Sequence, residues 1–270
     1  MALDLNALAH DCVAIARRAG SAILTIYEQD FEVISKADDS PLTQADLASH
    51  RVIVKALGEL TPEIPVLSEE SGHISDEERL SWSRYWLIDP LDGTKEFVNR
   101  NGEFTVNIAL IDQHRPILGV VHVPVVDETY AGVVGHGAWR QQATGVAQDI
   151  QTRRPVPPVP VIVGSRSHAN PKLEQCLAGL GDHEMISMGS SLKFCRVAEG
   201  KADLYPRLGP TSEWDTAAAQ AVVEAAGGQV LGLEGKALPY NQKVDILNPW
   251  FVVLGDPDAA WMDRLDLDLA

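Results

Sequence analysis

The sequence predicts a mixed α/β fold, because segments with helical periodicity alternate along the chain with short runs typical of β-strands. Apolar side chains recur at helical spacing through residues 3–28, and an alanine-rich run, 217–226, is halted by two glycines. Between these helices, residues 104–111 and 117–126 are typical of strands and are divided by a turn-like break. We expect these two runs to be antiparallel strands of one sheet.

The beginning of the chain contains two predicted helices joined by a short strand and a loop. Residues 3–28 form a long amphipathic helix, although Gly20 lies inside it. A strand near residues 31–35 and a polar loop, 36–40, lead to a second helix at roughly 43–58. The loop could approach a nearby site, but a charged surface loop is the more common meaning of such a segment.

A proline-rich segment divides the chain. Residues 151–160 contain four prolines, which resist regular structure. We therefore expect one subdomain at residues 1–152 and a second at residues 153–270. The second is expected to contain, in order, a strand at 159–163, a helix at about 170–180, a helix within 189–198 and a strand at 202–207.

Composition and charge limit the classes of partner. The 270 residues are 45% hydrophobic and 22% charged, which is typical of a globular protein with a substantial core. The 38 Asp and Glu residues outnumber the 22 Lys and Arg residues and give a formal charge of −16, so nucleic acids and anionic membranes are expected to be repelled. A small phosphorylated metabolite can still bind where a metal ion reverses the local charge.

The cysteines and the hydropathy pattern indicate a cytoplasmic protein. The three cysteines lack Cys-x-x-Cys spacing, so neither a disulfide framework nor a zinc site is expected. The first residues lack the basic and apolar regions of a signal peptide, and no run approaches the ~18 apolar residues of a membrane span. We expect a reducing cytoplasm, with loose attachment to the inner face of the plasma membrane left open.

The most informative stretch is residues 87–97, where an apolar strand leads to Asp89, Asp92, Gly93 and Thr94. Carboxylate oxygens are the hard ligands that Mg²⁺ prefers. A glycine lets the backbone approach an anion, and free N–H groups at a following helix start attract negative charge. The stretch can therefore hold metal and phosphate together. A plain turn is the alternative, because Asp, Pro and Gly are common turn residues.

Further acidic residues occur in similar positions. Glu69 and Glu70 end a short apolar run, and ligands of open α/β sheets collect at such strand ends. Asp215 precedes the alanine-rich helix, where Asp215 or Thr216 could simply be the N-cap. Asp46 lies near the start of the second helix, where a solvated acid in the first turn is the simpler explanation.

Basic and hydroxyl residues of the second half could recognise a phosphorylated ligand. Residues 164–168 follow a strand and end in His168, which suits phosphate or nucleoside recognition, although a polar loop with an N-cap is the alternative. Lys193 and Arg196 are three positions apart and could share a helix face, and Arg207 ends a short strand. Solvated surface bases remain the alternative for each of them.

Three motifs carry a family resemblance. In order and approximate spacing they resemble the metal-site motifs of the inositol monophosphatase superfamily, whose members are Mg²⁺-dependent, lithium-sensitive phosphatases. Ordered motifs spread over most of the chain are more specific than a lone glycine-rich loop. They are Leu67-Ser68-Glu69-Glu70, Asp89-Pro90-Leu91-Asp92-Gly93-Thr94 and Trp214-Asp215-Thr216-Ala217-Ala218.

The residues after Thr94 distinguish members of this superfamily. Lys95-Glu96-Phe97 resembles the 3′(2′),5′-bisphosphate nucleotidases of the bacterial CysQ type, whereas inositol monophosphatases typically have Thr-Asn-Phe or Thr-Thr-Asn-Phe here. The resemblance implies hydrolysis of 3′-phosphoadenosine 5′-phosphate to AMP and phosphate, and a place in sulfur metabolism. The same metal site would also serve an inositol or sugar monophosphate phosphatase.

The resemblance also implies a fold and a set of metal ligands. The fold would be a layered α-β-α-β-α sandwich of the sugar-phosphatase type, with the metal site between the two subdomains. Two or three Mg²⁺ ions are expected. Glu69, Asp89 and the Leu91 carbonyl would hold one ion, Asp89, Asp92 and Asp215 a second, and Glu70 would bind a third or support the others.

The remaining roles follow from the same resemblance. Thr94 and Asp46 would orient or deprotonate the attacking water, and no side chain needs to become phosphorylated. A catalytically silent Mg²⁺ or phosphometabolite-binding protein would not need this pair. A monomer is expected rather than a dimer. Substrate contacts are expected from Glu69, Leu91, Asp92, Gly93, Thr94 and Asp215, from Lys193 and Arg207 at the second phosphate, and from His168 at the nucleoside.

Overall fold

The computed structural model describes residues 3–28, 33–35, 41–72, 74–165 and 171–269. Two sheets and eight helices account for most of these residues, and a small antiparallel hairpin of β1 (Val33–Ser35) and β2 (Pro41–Thr43) lies beside them. The mixed α/β prediction is confirmed. Residues 31–32 of the predicted first strand and the predicted loop at 36–40 lie outside the described residues.

Two long helices cover one face of the larger sheet. These are α1 (Leu5–Tyr27) and α2 (Gln44–Leu60), and both predictions are confirmed. Asp4 caps α1, because its Oδ1 accepts a hydrogen bond of 3.0 Å from the Ala7 N–H. Position 20 of α1 requires a glycine, because a Cβ there would lie 2.6 Å from Nε2 of the buried His122. The helix can approach the sheet closely only without a side chain at this position.

The larger sheet has seven strands in sequence order, and its neighbours are antiparallel except for the parallel first pair. The predicted antiparallel pair at 104–111 and 117–126 is confirmed, but the second strand ends at Val123 because Pro124 begins a 3-10 turn. The elements are β3 (Val66–Ser68), α3 (Asp76–Leu80), β4 (Arg84–Asp92), α4 (Thr94–Val98), β5 (Thr105–Asp112), β6 (Arg115–Val123), β7 (Glu128–Val133), β8 (Gly137–Gln142) and β9 (Gln148–Ile150).

The second sheet has five strands in the order β11-β10-β12-β14-β13, the first three parallel and the last two antiparallel to their neighbours. The predicted helix at 170–180 is shorter, because the chain turns before Gly181, which has a φ of 77°. The elements are β10 (Val161–Ser165), α5 (Pro171–Leu177), β11 (Glu184–Met188), α6 (Leu192–Ala198), β12 (Leu204–Arg207), α7 (Glu213–Ala225), β13 (Gln229–Gly232), β14 (Phe251–Leu254) and α8 (Trp261–Arg264).

The hydrophobic cores define alternating layers. One core joins α1 and α2 to the larger sheet, and a second encloses α6 and α7 between the two sheets. A third joins α5 and α8 to the outer face of the smaller sheet. The chain is therefore an α-β-α-β-α sandwich. Residues 151–160 contain neither helix nor strand, and the division at residue 152 stays a prediction.

Helix α7 is seated directly on the larger sheet. A Cβ at Gly119 would collide with the Ala218 carbonyl, and a Cβ at Gly132 would lie 2.8 Å from the Cα of Val222. Small residues on both elements therefore let the helix backbone approach the strands. The interpretation of Asp215 or Thr216 as the N-cap is wrong, because the N-cap is Ser212 and α7 begins at Glu213. Asp215 lies in the first turn and faces the end of β4.

Among the described residues, the helices are all too short or too polar to cross a lipid bilayer.

Candidate active site

The site begins at the end of β4, where the strand is irregular. The pairing register between β4 and β5 shifts between Asp89 and Asp92. The Leu91 N–H donates to Oδ1 of Asp89 at 3.0 Å, and Ser49 of α2 donates its hydroxyl to the Pro90 carbonyl at 2.7 Å. These hydrogen bonds hold the backbone between the two aspartates in one conformation, so both carboxylates stay at the strand end.

Three carboxylates from distant parts of the chain meet here. One oxygen from each of Asp89, Asp92 and Asp215 lies within 4.8 Å of the others. The Ser191 N–H donates to Oδ2 of Asp92 at 2.5 Å, and the Ser212 N–H donates to Oδ2 of Asp215 at 2.9 Å. Together with the Leu91 N–H on Asp89, backbone donors thus orient all three carboxylates.

Burial and mutual repulsion disfavour the charged forms of these carboxylates. Burial raises the pKa of Asp89 well above its usual value, and the charges of Glu69, Asp92, Asp215 and Asp46 raise it further. Burial, followed by the charge of Asp92, raises the pKa of Asp215 to about 8. Burial also raises the pKa of Asp92, although Lys193 and the Ser191 N–H oppose this effect. A bound cation would relieve the repulsion.

The donor set fits a hard divalent cation. In the part of the chain that the structure describes, the group consists of carboxylates without histidine or thiolate ligands, and such oxygens suit Mg²⁺ rather than zinc or copper. Glu69 lies outside the group of three but is close enough for its charge to raise the pKa of Asp89 and of Asp215. Glu70 affects His50 instead: burial lowers the pKa of His50, and the Glu70 charge opposes this.

Asp46 lies close enough to this carboxylate group for its charge to raise the pKa of Asp89, and Thr94 follows Asp92 and Gly93 in the chain. Asp46 is only 1% exposed, so the interpretation as a solvated acid in the first turn of α2 is wrong. Thr94 is the first residue of α4, and Gly93 is the N-cap, with a φ of 92° and no side-chain cap. The left-handed backbone at Gly93 is the reason a glycine follows the aspartates.

A cleft opens from the carboxylates toward the second sheet and brings positive charge close to them. Its positively charged lining residues are Lys95, Lys193 and Arg207. The other described residues lining the cleft are small, acidic or aromatic: Asp92, Gly93, Glu96, Ser165, Gly189, Ser190, Ser191, Phe194, Tyr205, Thr211 and Asp215.

The two predicted phosphate contacts are held by different partners. Lys193 is 6% exposed and donates to the Ser190 carbonyl at 2.5 Å. Burial lowers the pKa of Lys193 to about 8, and Asp92 acts in the opposite direction. Arg207 donates from Nε to the Thr211 hydroxyl and from Nη2 to the Pro210 carbonyl at 2.6 Å. Both side chains remain part of the cleft wall.

The predictions for Arg196 and His168 have different outcomes. Arg196 does not share the cleft with Lys193, because its guanidinium donates to Glu199 and to the Tyr130 hydroxyl at 3.5 Å. The idea that the two bases form one binding face is therefore wrong. His168, the predicted nucleoside contact, lies outside the described residues.

Sequence reasoning missed three polar residues beside the carboxylates. Thr105 and Asn107 are fully buried on β5, and Ser191 precedes α6 and is 2% exposed. Two polar residues at alternate positions of an otherwise apolar strand were the available signal, because alternation places both on one face. The contacts of Ser191 could not be read from local pattern.

Known proteins resemble the chain over nearly its whole length. The model of the inositol monophosphatase family matches residues 4–257. The 3′(2′),5′-bisphosphate nucleotidase CysQ of Escherichia coli O6:H1 is 55% identical over 241 residues, which cover 88% of this chain and 96% of that protein. The protein of the same name from Haemophilus influenzae is 38% identical over 262 residues, covering 96% and 97%.

Solved structures agree with the sequence comparison. CysQ from Bacteroides thetaiotaomicron, a bacterial member of the inositol monophosphatase family, has a TM-score of 0.83 at 43% identity and covers 94% of this chain and 99% of its own. The inositol monophosphatase from Anabaena sp. PCC 7120 shares the fold, with a TM-score of 0.73 at 23% identity and 97% and 95% coverage. On its ordered motifs, its fold and these matches, the chain belongs to the inositol monophosphatase family.

Proposed function

We propose that this protein is a Mg²⁺-dependent phosphomonoesterase that removes the 3′-phosphate of 3′-phosphoadenosine 5′-phosphate, giving AMP and phosphate. The observation that carries the proposal is the group of three carboxylates within 4.8 Å, two of which, Asp92 and Asp215, line a cleft that also contains three cationic side chains. Such a cleft suits a ligand with more than one phosphate. The 55% identity to a 3′(2′),5′-bisphosphate nucleotidase favours this substrate over inositol or sugar monophosphates.

The residues present fit the expected ions. We assign Glu69, Asp89 and the Leu91 carbonyl to one Mg²⁺ and Asp89, Asp92 and Asp215 to another, with Asp89 shared and Glu70 available to a third. When bound, Mg²⁺ would lower the pKa of a coordinated water and neutralise charge on the leaving oxygen. The shifted pKa values of Asp89 and Asp215 support this assignment, because crowded carboxylates favour cation binding.

The protein's own groups would position the reactants. Asp46 is buried beside the carboxylates, and Thr94 begins α4 next to Gly93. We assign to this pair the orientation of the attacking water, with Asp46 accepting a proton through the Thr94 hydroxyl. The Gly93 backbone lets the phosphate approach closely.

The cleft would hold the rest of the substrate. Lys193 and Arg207 are assigned to the 5′-phosphate and His168 to the nucleoside, while Glu69, Leu91, Asp92, Gly93, Thr94 and Asp215 surround the reacting phosphate. The carbonyl partners of Lys193 and Arg207 fix both cations in the wall without neutralising them. Inhibition by Li⁺, a cytoplasmic location and a monomeric state also belong to this proposal.

The test is phosphate release from a panel of substrates, with Mg²⁺ and with a chelator. We expect Mg²⁺-dependent hydrolysis with the highest kcat/KM on 3′-phosphoadenosine 5′-phosphate, compared with inositol 1-phosphate and fructose 1,6-bisphosphate. Preference for inositol 1-phosphate would refute the substrate assignment and retain the metal site. Absence of hydrolysis on all three substrates with Mg²⁺ present would refute the enzymatic proposal.

A further inference from the structure

Two polar side chains on β5 lie opposite the metal-binding aspartates. In the register of the larger sheet, Asn107 pairs with Asp89 and Thr105 pairs with Asp92. Directly opposed residues of antiparallel strands project their side chains from the same face, about 5 Å apart. Both Thr105 and Asn107 are fully buried. The face that carries Asp89 and Asp92 therefore carries a second, uncharged polar pair.

Ser191 joins this pair to the second half of the chain. Its hydroxyl donates to Oδ1 of Asn107 at 2.8 Å and lies 2.8 Å from the Thr105 hydroxyl. A serine hydroxyl has one proton, so Thr105 must donate to Ser191. The Ser191 N–H donates to Asp92 at 2.5 Å. One residue before α6 thus contacts β4 and β5 together.

The two ends of the Asn107 amide have different surroundings. Its Nδ2 atom is buried and makes no hydrogen bond among the described residues. An unsatisfied buried donor is costly, because it loses its hydrogen bonds to water and gains none in the protein. Because Oδ1 accepts from Ser191, the N–H₂ group is the end of the amide that can still form a hydrogen bond, and Asp89 is the residue paired with Asn107 across the sheet. A donor beside a carboxylate is favourable, whereas an amide oxygen there would be repelled.

We propose that Asn107 is a positioning residue of the metal centre. Anchored by Ser191, its amide donates to the Asp89 carboxylate, directly or through one water, when the centre holds Mg²⁺. The hydrogen bond restricts the carboxylate to the orientation that the ion requires. Residues that orient metal ligands in this way typically change metal affinity 10–100-fold when removed. The inference rests on the metal site of the proposed function and is independent of the substrate.

Calorimetric titration of the protein with Mg²⁺ alone tests the role. We expect Asn107→Ala to raise the Mg²⁺ dissociation constant about tenfold. Asn107→Ser, which keeps a short hydroxyl but cannot reach Asp89, should show the same direction of change and guards against failure of the first variant to fold. The matched control is Ile108→Ala, which removes a fully buried side chain from the opposite face of the same strand. It should lose stability with unchanged Mg²⁺ affinity.

Steady-state kinetics separate positioning from general destabilisation. In Asn107→Ala, the Mg²⁺ concentration for half-maximal activity should rise about tenfold, while KM for the nucleotide at saturating Mg²⁺ changes less than about twofold. Mg²⁺ affinity equal to wild type in both Asn107 variants would overturn the inference and leave the proposed function intact. Wild-type protein that does not bind Mg²⁺ would overturn both.

Discussion

At the scale of single residues, Asp92 has opposite effects on catalysis and on stability. Its carboxylate is required for the proposed metal site, yet it repels Asp89 and Asp215 in the metal-free protein. We expect Asp92→Asn to abolish turnover and to raise the melting temperature measured in a chelator, because one of the repelling charges is removed. Asp245→Asn, an exposed substitution that keeps the oxygen accepting from the Leu247 N–H, is the control and should change neither quantity. Near wild-type Mg²⁺-dependent activity in Asp92→Asn would contradict the assignment.

Thr94 should affect the rate more than the affinity. A group that positions the attacking water acts mainly in the transition state, so Thr94→Ala should lower kcat at least about a hundredfold with little change in KM. Gly93 rather than Thr94 is the N-cap of α4, so the loss of about 1 kcal/mol that follows removal of a cap is not expected. Kinetics and thermal melting of Thr94→Ala distinguish a role in positioning water from a role in capping the helix. Normal kcat with reduced stability would contradict the role in positioning water.

Arg207 tests recognition of the second phosphate. A charge-assisted hydrogen bond to phosphate contributes about 1.5–3 kcal/mol, or roughly tenfold to a hundredfold in kcat/KM. We expect Arg207→Ala to lose this factor on 3′-phosphoadenosine 5′-phosphate but not on adenosine 3′-phosphate, which lacks the distal group. Arg196→Ala is the matched control, because its guanidinium contacts Glu199 away from the cleft. Equal losses of kcat/KM on both nucleotides in Arg207→Ala would contradict the assignment of Arg207 to the 5′-phosphate.

At the scale of elements, the seating of α7 on the larger sheet determines where Asp215 lies. A Cβ at Gly119 would collide with the Ala218 carbonyl, so Gly119→Ala must push the helix away from β6. We expect a loss of about 1–3 kcal/mol in the free energy of unfolding, as for other overpacked cores. Mg²⁺ affinity should fall as well, because Asp215 moves with the helix. Denaturant unfolding and Mg²⁺ titration measure the two effects.

Gly58 provides the matched control for this substitution. It lies inside α2, and a Cβ there would meet no atom within 4 Å. Gly58→Ala should therefore raise the free energy of unfolding by about 0.5–1 kcal/mol through helix propensity, without affecting Mg²⁺. If Gly119→Ala were as stable as wild type and bound Mg²⁺ equally well, close seating of α7 would not determine the position of Asp215.

At the scale of the whole molecule, the carboxylate group couples stability to pH and to Mg²⁺. Asp215 has a pKa of about 8 in the folded protein, raised from 3.8. The folded state therefore binds more protons between these values than the unfolded state, and the metal-free protein should lose stability as pH rises from about 4 to about 8. Denaturant unfolding across this pH range in a chelator measures the slope.

Mg²⁺ should reduce this dependence and raise the melting temperature, because it binds the folded state selectively. At 100 times the dissociation constant, the added stability would be about 2.7 kcal/mol. The same titration on Asp92→Asn is the control and should show a much smaller increase. Wild-type melting curves unaffected by millimolar Mg²⁺ at pH 8 would contradict a metal site at these residues.

Features that depend on neighbours along the chain follow from the sequence alone. The contiguous run from Asp89 to Thr94 fixes two carboxylates, a left-handed glycine and a helix start within one strand end. Helical periodicity located α1 and α2, because one face of each is apolar. The ordered motifs were sufficient to identify the family and hence the expected layering.

The way the second half of the chain meets the first depends on tertiary packing. The Ser191 N–H reaches Asp92, and Arg196 turns to Glu199, because α6 and α7 are docked between two sheets. The burial of Asp46 and of Asn107 likewise depends on which elements cover them. The local sequence pattern cannot specify such contacts. A polar residue has the same secondary-structure propensity whether its side chain faces solvent or a carboxylate from a distant part of the chain. Docking brings the carboxylates together and raises their pKa values, and this sets the chemistry of the site.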